Sequence, residues 1–405
     1  MKHEPITNQR DLTRFCETIS GAATIAFDTE FVSEDRYRPE LCLAQVAVAG
    51  RLAVIDPLEV GDLAPFWELI ASPPHTTIVH SGRQELCFCL SAIGKRPYRL
   101  FDTQIAAGLI GLEYPAAYST LVARLVGKTL HKGETRSNWR RRPLSHHQVR
   151  YALQDVAYLE PLRDALVERL QELGRLPWLE AELDAWQTQI EHAEFADGWQ
   201  RIPGTANLPP SAQAIVRALW RWREGEAQRQ NRPPRRVLRD DLLVELARRG
   251  SADVDQIRAV RGMERRDRGP QLGAIAACIR EALDLPSDEW PRSPQRLPHR
   301  PLFALLGQFL ATALGSVCRE RQLAPGLLGS VQDIRDYVHY RLSAGDGDGR
   351  DPPAMAQGWR FEIAGPILDE LLAGNTAVRV ADPWNDQPLR FERNLGLNSG
   401  RVLPQ

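Results

Sequence analysis

The pattern of apolar and polar positions divides the chain near residue 175. Before that point, short apolar runs alternate with helical patterns. "ATIAFDTEF" (23–31), "LCLAQVAVA" (41–49), "RLAVIDP" (51–57), "TTIVHSG" (76–82) and "RLF" (99–101) read as strands. Gly50 and Arg51 separate the second run from the third and predict a hairpin. Helical patterns follow at about 83–93, 103–111 and 118–127, with one long helix expected from 146 to 173. Three strands in succession and then strand–helix alternation imply an α/β domain over 1–175, a mixed sheet covered by helices.

After Gly174 the pattern becomes helical, punctuated by Pro and Gly. Residues 176–207 read as a linker. A compact helical unit is expected at 208–286, with Ile215, Leu219 and Trp222 on one face of its first helix and Gly250 as a C-cap. The Pro-rich stretch 287–300 reads as a second linker, 301–375 as a weaker echo of the helical unit, and 376–405 as a tail containing the strand-like "AVRVADP".

Composition adds little to the fold but narrows the function. With 43% hydrophobic and 25% charged residues among 405, the chain is globular and able to build cores. No uninterrupted apolar run approaches the roughly 20 residues of a membrane span, and the polar N-terminus lacks a signal-peptide core, so a cytoplasmic protein without membrane partners is expected. The six cysteines form no C-x-x-C pair and have no zinc spacing, and are expected to be reduced thiols. Net charge is −1, yet "RALWRWREGEAQRQNRPPRRVLR" (217–239) carries eight arginines against two acids. Such a local basic face suits contact with phosphates. Asp346 and Asp348 in "SAGDGDGRDPP" (343–353) lack the partners of a calcium loop, and the segment reads as a plain loop.

The chemistry concentrates at "IAFDTEFVSED". Residues i and i+2 of a strand share a face, so Asp28 and Glu30 project together from the end of a buried strand. Two adjacent anions in such a place are costly unless a divalent cation neutralises them, and oxygen donors suit Mg²⁺ or Mn²⁺. Glu85 lies on a helix just after another strand. Tyr151 and Asp155, four apart, share one face of a later helix. These side chains could meet in one cleft. Asp102 is placed as a helix N-cap, or as a helper to the cluster.

D-x-E on the first strand, an acid after "VHSGRQ", and Y-x-x-x-D on a late helix resemble the three motifs of the DEDD superfamily of 3′→5′ exonucleases, in the subgroup with tyrosine in the third motif. The flanks "FDTEFVSEDRYRPELCLAQVA", "FDTQIAA" and "SNWRRRPLSHHQVRYALQDVAYL" are similar to ribonuclease D, and residues from Leu208 to Ala247 resemble an HRDC domain. The resemblance covers nearly the whole chain except its last ~30 residues. It implies a ribonuclease H-like exonuclease domain followed by two all-α HRDC-like domains. It also implies two divalent cations per site, held by Asp28, Glu30, Glu85 and Asp155, and a hydrolysis that releases 5′-mononucleotides.

In that scheme Asp28 bridges the ions, Glu30 and Asp155 serve the side of the attacking oxygen, Glu85 the leaving side, and Tyr151 orients the nucleophilic water. One departure stands out: the second motif carries Glu85 where the family has Asp. The implied substrate is RNA with a free 3′ end, such as a tRNA precursor, and the implied state a monomer. Arg221, Arg223, Arg235 and Arg236 are candidate phosphate contacts. Trp220 and Trp222 are core residues or stacking platforms, with core favoured, and His131, Lys132 and Arg140–Arg142 candidates for the catalytic mouth. Two alternatives remain at this point: a DNA exonuclease on the same fold, and an RNA-binding protein with catalysis weakened at Glu85.

Overall fold

The computed structural model describes residues 5–130, 137–263, 269–291, 301–343 and 351–393. Strands β1 (Thr24–Val32), β2 (Glu40–Val48), β3 (Arg51–Ile55), β4 (Thr76–Val79) and β5 (Leu100–Asp102) form one mixed sheet in the order β3-β2-β1-β4-β5. β1 runs antiparallel to β2 and parallel to β4. The β2–β3 hairpin turns through Ala49 and Gly50, both with positive φ, as a two-residue turn between right-twisted strands demands. The β1–β2 register shifts between Glu30 and Phe31, a bulge at the end of the D-x-E pair.

Period-2 alternation sends the two faces of β1 into different surroundings. Ile25 and Phe27 join a core with Phe66, Trp67 and Cys89, where Phe27 meets Phe66 edge-on at 5.7 Å. Ala26 belongs to the opposite core with Val156, Leu162 and Leu166. The helices supplying these layers are α1 (Gln9–Ile19), α2 (Pro57–Val60), α3 (Ala64–Ile70), α4 (Arg83–Ile93), α5 (Thr103–Leu109), α6 (Tyr118–Leu121), α7 (His146–Ala157) and α8 (Leu159–Glu172). The single helix expected over 146–173 is thus two. The break falls at Tyr158, whose backbone N–H is taken by the Tyr118 hydroxyl at 3.1 Å.

The segment expected as a linker over 176–207 is structured. Helix α9 (Leu176–Phe195) buries Leu179 and Leu183 in the core shared with α8, and packs Ile190 on Leu86 and Leu90 of α4. Beyond it, Trp199, Ile202 and Leu208 enter the core of the next unit. That unit comprises α10 (Pro210–Gln230), α11 (Pro234–Val237), α12 (Asp240–Arg249), α13 (Val254–Arg258) and α14 (Gly269–Leu283). Ile215 and Leu219 are buried in it, Gly250 caps α12 with φ 61°, and Trp222 is only partly covered.

Helices α15 (Pro301–Glu320), α16 (Pro325–Leu328), α17 (Val331–Ser343) and α18 (Gly358–Leu372) close no separate core. Leu310, Leu314, Tyr337 and Leu368 pack in the same cluster as Leu109, Leu166 and Leu170. Glycines make the approach possible. A Cβ on Gly111 would lie 2.7 Å from the Gln322 carbonyl carbon, and one on Gly326 2.8 Å from the Tyr114 oxygen. Arg175 crosses the seam to the carbonyls of Leu109, Arg321 and Gln322, and Arg360 pairs with Glu182 at 2.6 Å. By length and composition α15 could cross a membrane, but Leu310, Leu314 and Cys318 commit one of its faces to this core. The tail forms a hairpin of β6 (Thr376–Val380) and β7 (Leu389–Arg393). Most of the segment read as a plain loop over 343–353, residues 344–350, lies outside the described residues, as do His131 and Lys132.

Candidate active site

Four carboxylates gather where β1 ends. Asp28 and Glu30 lie on the face of β1 opposite Ile25, Phe27 and Thr29. A capping box starts α7: the Ser145 hydroxyl accepts from Gln148 N–H while the Gln148 side chain accepts from Ser145 N–H. Leu153 and Ala152 pack this helix against Cys42, Leu43 and Val54 of the sheet. Tyr151 and Asp155 are thereby fixed one turn apart, with Trp139 beside the Tyr151 ring at 6.2 Å. Glu85 arrives on the first turn of α4 and is 4% exposed.

Burial and mutual repulsion perturb all four acids. Burial raises Asp28 to about 6, against the opposing pull of the Thr29 N–H and the Gln45 side chain. Burial, then Asp28, Asp155 and Glu85, push Glu30 up to about 8. Burial and Asp28 raise Glu85 to about 8, while its bond from Thr29 opposes the shift. Burial and Asp28 raise Asp155 to about 7. No lysine or arginine is among the causes of any of these shifts. Burial and the same anions lift the Tyr151 phenol well above its ordinary range, so it stays protonated at neutral pH and its hydroxyl donates to Asp155.

The neutral partners are specific. Gln45 Nε2 donates to Asp28 Oδ2 at 2.7 Å, and Thr29 Oγ1 donates to Glu85 Oε1 at 2.5 Å. Among the described residues no three of these donors converge at metal-ligand distance. Asp28 is turned toward Gln45, and Glu85 toward Thr29 on the other face of the strand. The donor set still fits a hard dication. It is all oxygen, it is anionic, and among the described residues its hydrogen-bond partners are neutral.

Gln45 and Thr29 were missed in the sequence, although a glutamine inside "LCLAQVAVA" is a visible signal: it is fully buried and would need a polar partner. Tyr118 was missed as well. It lies close enough to Asp155 and Asp28 that both help to raise its phenol, and no local pattern marks it.

Other candidates do not join the cluster. Asp102 caps α5 and accepts from the backbone N–H groups of Gln104 (2.8 Å), Ser81 (3.1 Å) and Gly82 (2.8 Å). It holds the turn before α4 and is no direct helper. Arg140 forks onto Asp35 at 2.8 and 2.9 Å and also pairs with Glu40, while Arg142 binds Asp56 at 2.6 Å, so both brace the fold rather than line the mouth. Arg141 is exposed.

Arg223 is buried, donating to Asp240 at 2.7 Å and to the Leu238 carbonyl at 3.1 Å, which removes it from the phosphate contacts. Arg221 pairs with Asp197 and Arg235 with Asp240, both at the surface. Arg236 is exposed, without an ion pair among the described residues. Trp220 and Trp222 pack, partly buried, against the core of their unit.

The geometry agrees with comparisons to known proteins. The 3'-5' exonuclease family matches residues 3–171, and the HRDC domain family matches residues 212–279. Ribonuclease D of Gluconacetobacter diazotrophicus is 36% identical over 373 residues, which span 91% of each chain. The chain belongs to the ribonuclease D family. Ribonuclease D of Granulibacter bethesdensis is 35% identical, over 93% of this chain and 94% of the relative. The crystal structure of Escherichia coli RNase D, described as an exoribonuclease involved in structured RNA processing, superposes with a TM-score of 0.79 at 28% identity, covering 92% of this chain and 99% of that one. A ribonuclease D thus carries its acids on the sheet and the helices that match the exonuclease family, ahead of its HRDC domain.

Proposed function

We propose that this 3′→5′ exoribonuclease of the ribonuclease D family works with two divalent cations, Mg²⁺ or Mn²⁺, and trims the 3′ ends of structured RNA such as tRNA precursors. The observation that carries the reading is the cluster of Asp28, Glu30, Glu85 and Asp155, raised in pKa by burial and by one another, with no basic side chain among the described residues to relieve them. Asp28 would be shared between the ions. Glu30 and Asp155 would hold the one on the attacking side, and Glu85, one methylene longer than aspartate and bonded to Thr29, the one on the leaving side. Such a pair of ions, when bound, neutralises the phosphodiester and the oxygens that attack and leave.

The chain's own residues do the rest. Gln45 fixes the Asp28 carboxylate by a 2.7 Å hydrogen bond. Tyr151 keeps its proton at neutral pH and donates it in a hydrogen bond to Asp155, so its hydroxyl oxygen is left to orient the attacking water as an acceptor; it is not the base that activates it. Structured RNA as substrate is supported by what the Escherichia coli relative is described as processing.

The test is release of nucleotide from 3′-labelled RNA and from single-stranded DNA of the same sequence, with Mg²⁺, Mn²⁺ or EDTA. Metal-dependent release of 5′-mononucleotides, faster from RNA, is expected. No release with either metal would overturn the catalytic reading, and equal rates on DNA would overturn the RNA preference.

A further inference from the structure

A cavity of about 420 Å³ opens at the seam between the exonuclease half and the C-terminal helices. Its lining includes Arg124, Arg169, Arg319 and Gln322, and no carboxylate. We propose that this cavity is a phosphate site that grips the RNA backbone upstream of the 3′ end held at the carboxylates. The proposal rests on the exoribonuclease reading above and extends it to a second point of contact.

Three separate elements each contribute an arginine to the lining. Arg124 comes from the π-helical turn Val122–Val126, Arg169 from the last turn of α8 and Arg319 from the last turn of α15. Their counter-charges are thin. Arg124 has no ion pair among the described residues and is exposed. Arg169 pairs with Glu172, but both side chains are about half exposed, at 48% and 52%, so the pair is weak. Among the described residues Arg319 donates to the neutral backbone oxygen of Asp386. Behind them Arg175 spends its donors on the carbonyls of Leu109, Arg321 and Gln322, and brings no carboxylate.

The ends of α8 and α15 supply roughly half a negative charge each, and Glu172 one more, against three guanidinium groups. About one positive charge remains, which one phosphodiester would neutralise. Guanidinium forks match phosphate oxygens in geometry as well as charge. The π turn is a second, independent pointer, because such turns are rare and concentrate at functional sites.

The cavity is linked to the carboxylates by a continuous helical segment. Tyr118 starts α6, and its phenol feels Asp155 and Asp28. Arg124 follows six residues later, roughly 9 Å along a helix axis at about 1.5 Å per residue. A dinucleotide without a 5′-phosphate has only the scissile phosphodiester, which stays at the carboxylates, whereas a decamer has further phosphates upstream to reach the cavity. Substrates of different length therefore separate the two sites.

The experiment uses the full chain and an Arg124→Ala variant, with Arg124→Glu as a second. Arg124 is exposed and has no ion pair among the described residues, so both should fold as the parent does. Anisotropy of a labelled RNA decamer is followed in EDTA across a salt series. Hydrolysis of dinucleotide and decamer is followed with Mn²⁺. Arg124→Ala should weaken decamer binding about five- to tenfold at low salt, and lower the log–log salt slope by about 0.7, the value for one single-strand phosphate contact. Arg124→Glu should weaken it further.

The KM for the decamer should rise, while dinucleotide turnover stays at the parent value. Unchanged decamer affinity and slope in both variants would overturn the proposal. So would loss of binding to a free 5′-mononucleotide with decamer binding intact, which would make the cavity a site for free nucleotide. If the parent hydrolyses neither substrate, it is the catalytic reading that fails, and the anisotropy series still decides the cavity.

Discussion

The exonuclease half and the helical unit over 210–283 handle charge in opposite ways. In the first, four acids from three elements lie close enough to raise one another's pKa, and the hydrogen bonds described to Asp28 and Glu85 come from the neutral Gln45 and Thr29. In the second, a stretch dense in arginine is largely neutralised within the fold. Arg221 pairs with Asp197, Arg223 and Arg235 with Asp240, Arg229 with Glu226 and Arg239 with Asp241. A run of one sign in the sequence is therefore a poor guide to a site. What marks function is charge for which the fold supplies no partner, and by that criterion the acids stand out while most of the eight arginines do not.

This contrast predicts unequal effects. Asp28→Asn or Asp155→Asn should lower turnover on RNA by at least about 10³-fold, the scale of losing a charge that acts on the reacting centre, while RNA affinity in EDTA changes less than threefold. Residual turnover near the parent rate would show that the cluster is not the reacting centre. Arg223→Ala should destabilise the helical unit by about 3 kcal/mol, because it removes a buried guanidinium, leaves a gap beside Glu224 and leaves Asp240 with only the exposed Arg235. The exposed Arg235→Ala should cost under about 1 kcal/mol. Denaturant melts of the two variants measure the difference, and equal costs would dissolve the distinction between buried and surface pairing.

Titration offers a gentler probe. The folded-state values of Asp28, Glu30, Glu85 and Asp155, about 6 to 8, lie above the ordinary values near 4. Acids raised in this way contribute stability that is complete below about pH 4 and is lost as pH rises through about 8. In EDTA, Tm should fall between pH 5 and pH 8.5, and Glu30→Gln should flatten that fall. Mn²⁺ should raise Tm more at pH 8 than at pH 5, since the ionised cluster binds it better. A Tm gain independent of pH would place the ion elsewhere. The smallest effect is reserved for Glu85→Asp, which restores the length usual in the family and should leave activity equal or up to a few-fold higher. A large loss would show that the bond from Thr29 has made the longer side chain integral.

Much of this was legible in the sequence, for identifiable reasons. Strand alternation located Asp28 and Glu30 on one face, and i,i+4 spacing did the same for Tyr151 and Asp155, because both periods are properties of the local backbone. The hairpin at Ala49-Gly50 was marked by its glycine. What escaped depends on contacts distant in the chain. The break at Tyr158 is made by Tyr118, 40 residues away. Helix α9 looked like a connector because its apolar residues are interspersed with charge, yet Leu179, Leu183 and Ile190 are spaced to meet two different layers. The arginines of 217–239 were visible one by one, but their partners at Asp197, Asp240 and Asp241 could be assigned only in three dimensions.

The seam joining the first domain to the helices after residue 301 also sets an order in time. Leu166 and Leu170 share their core with Leu310, Tyr337 and Leu368. Domains generally fold as units in the order of their synthesis, and here part of the first domain's core is shared with helices that are made last. Nascent chains stalled at residue 300 should therefore release fewer nucleotides from added RNA than the finished chain, and equal release would show that the exonuclease domain closes without those helices.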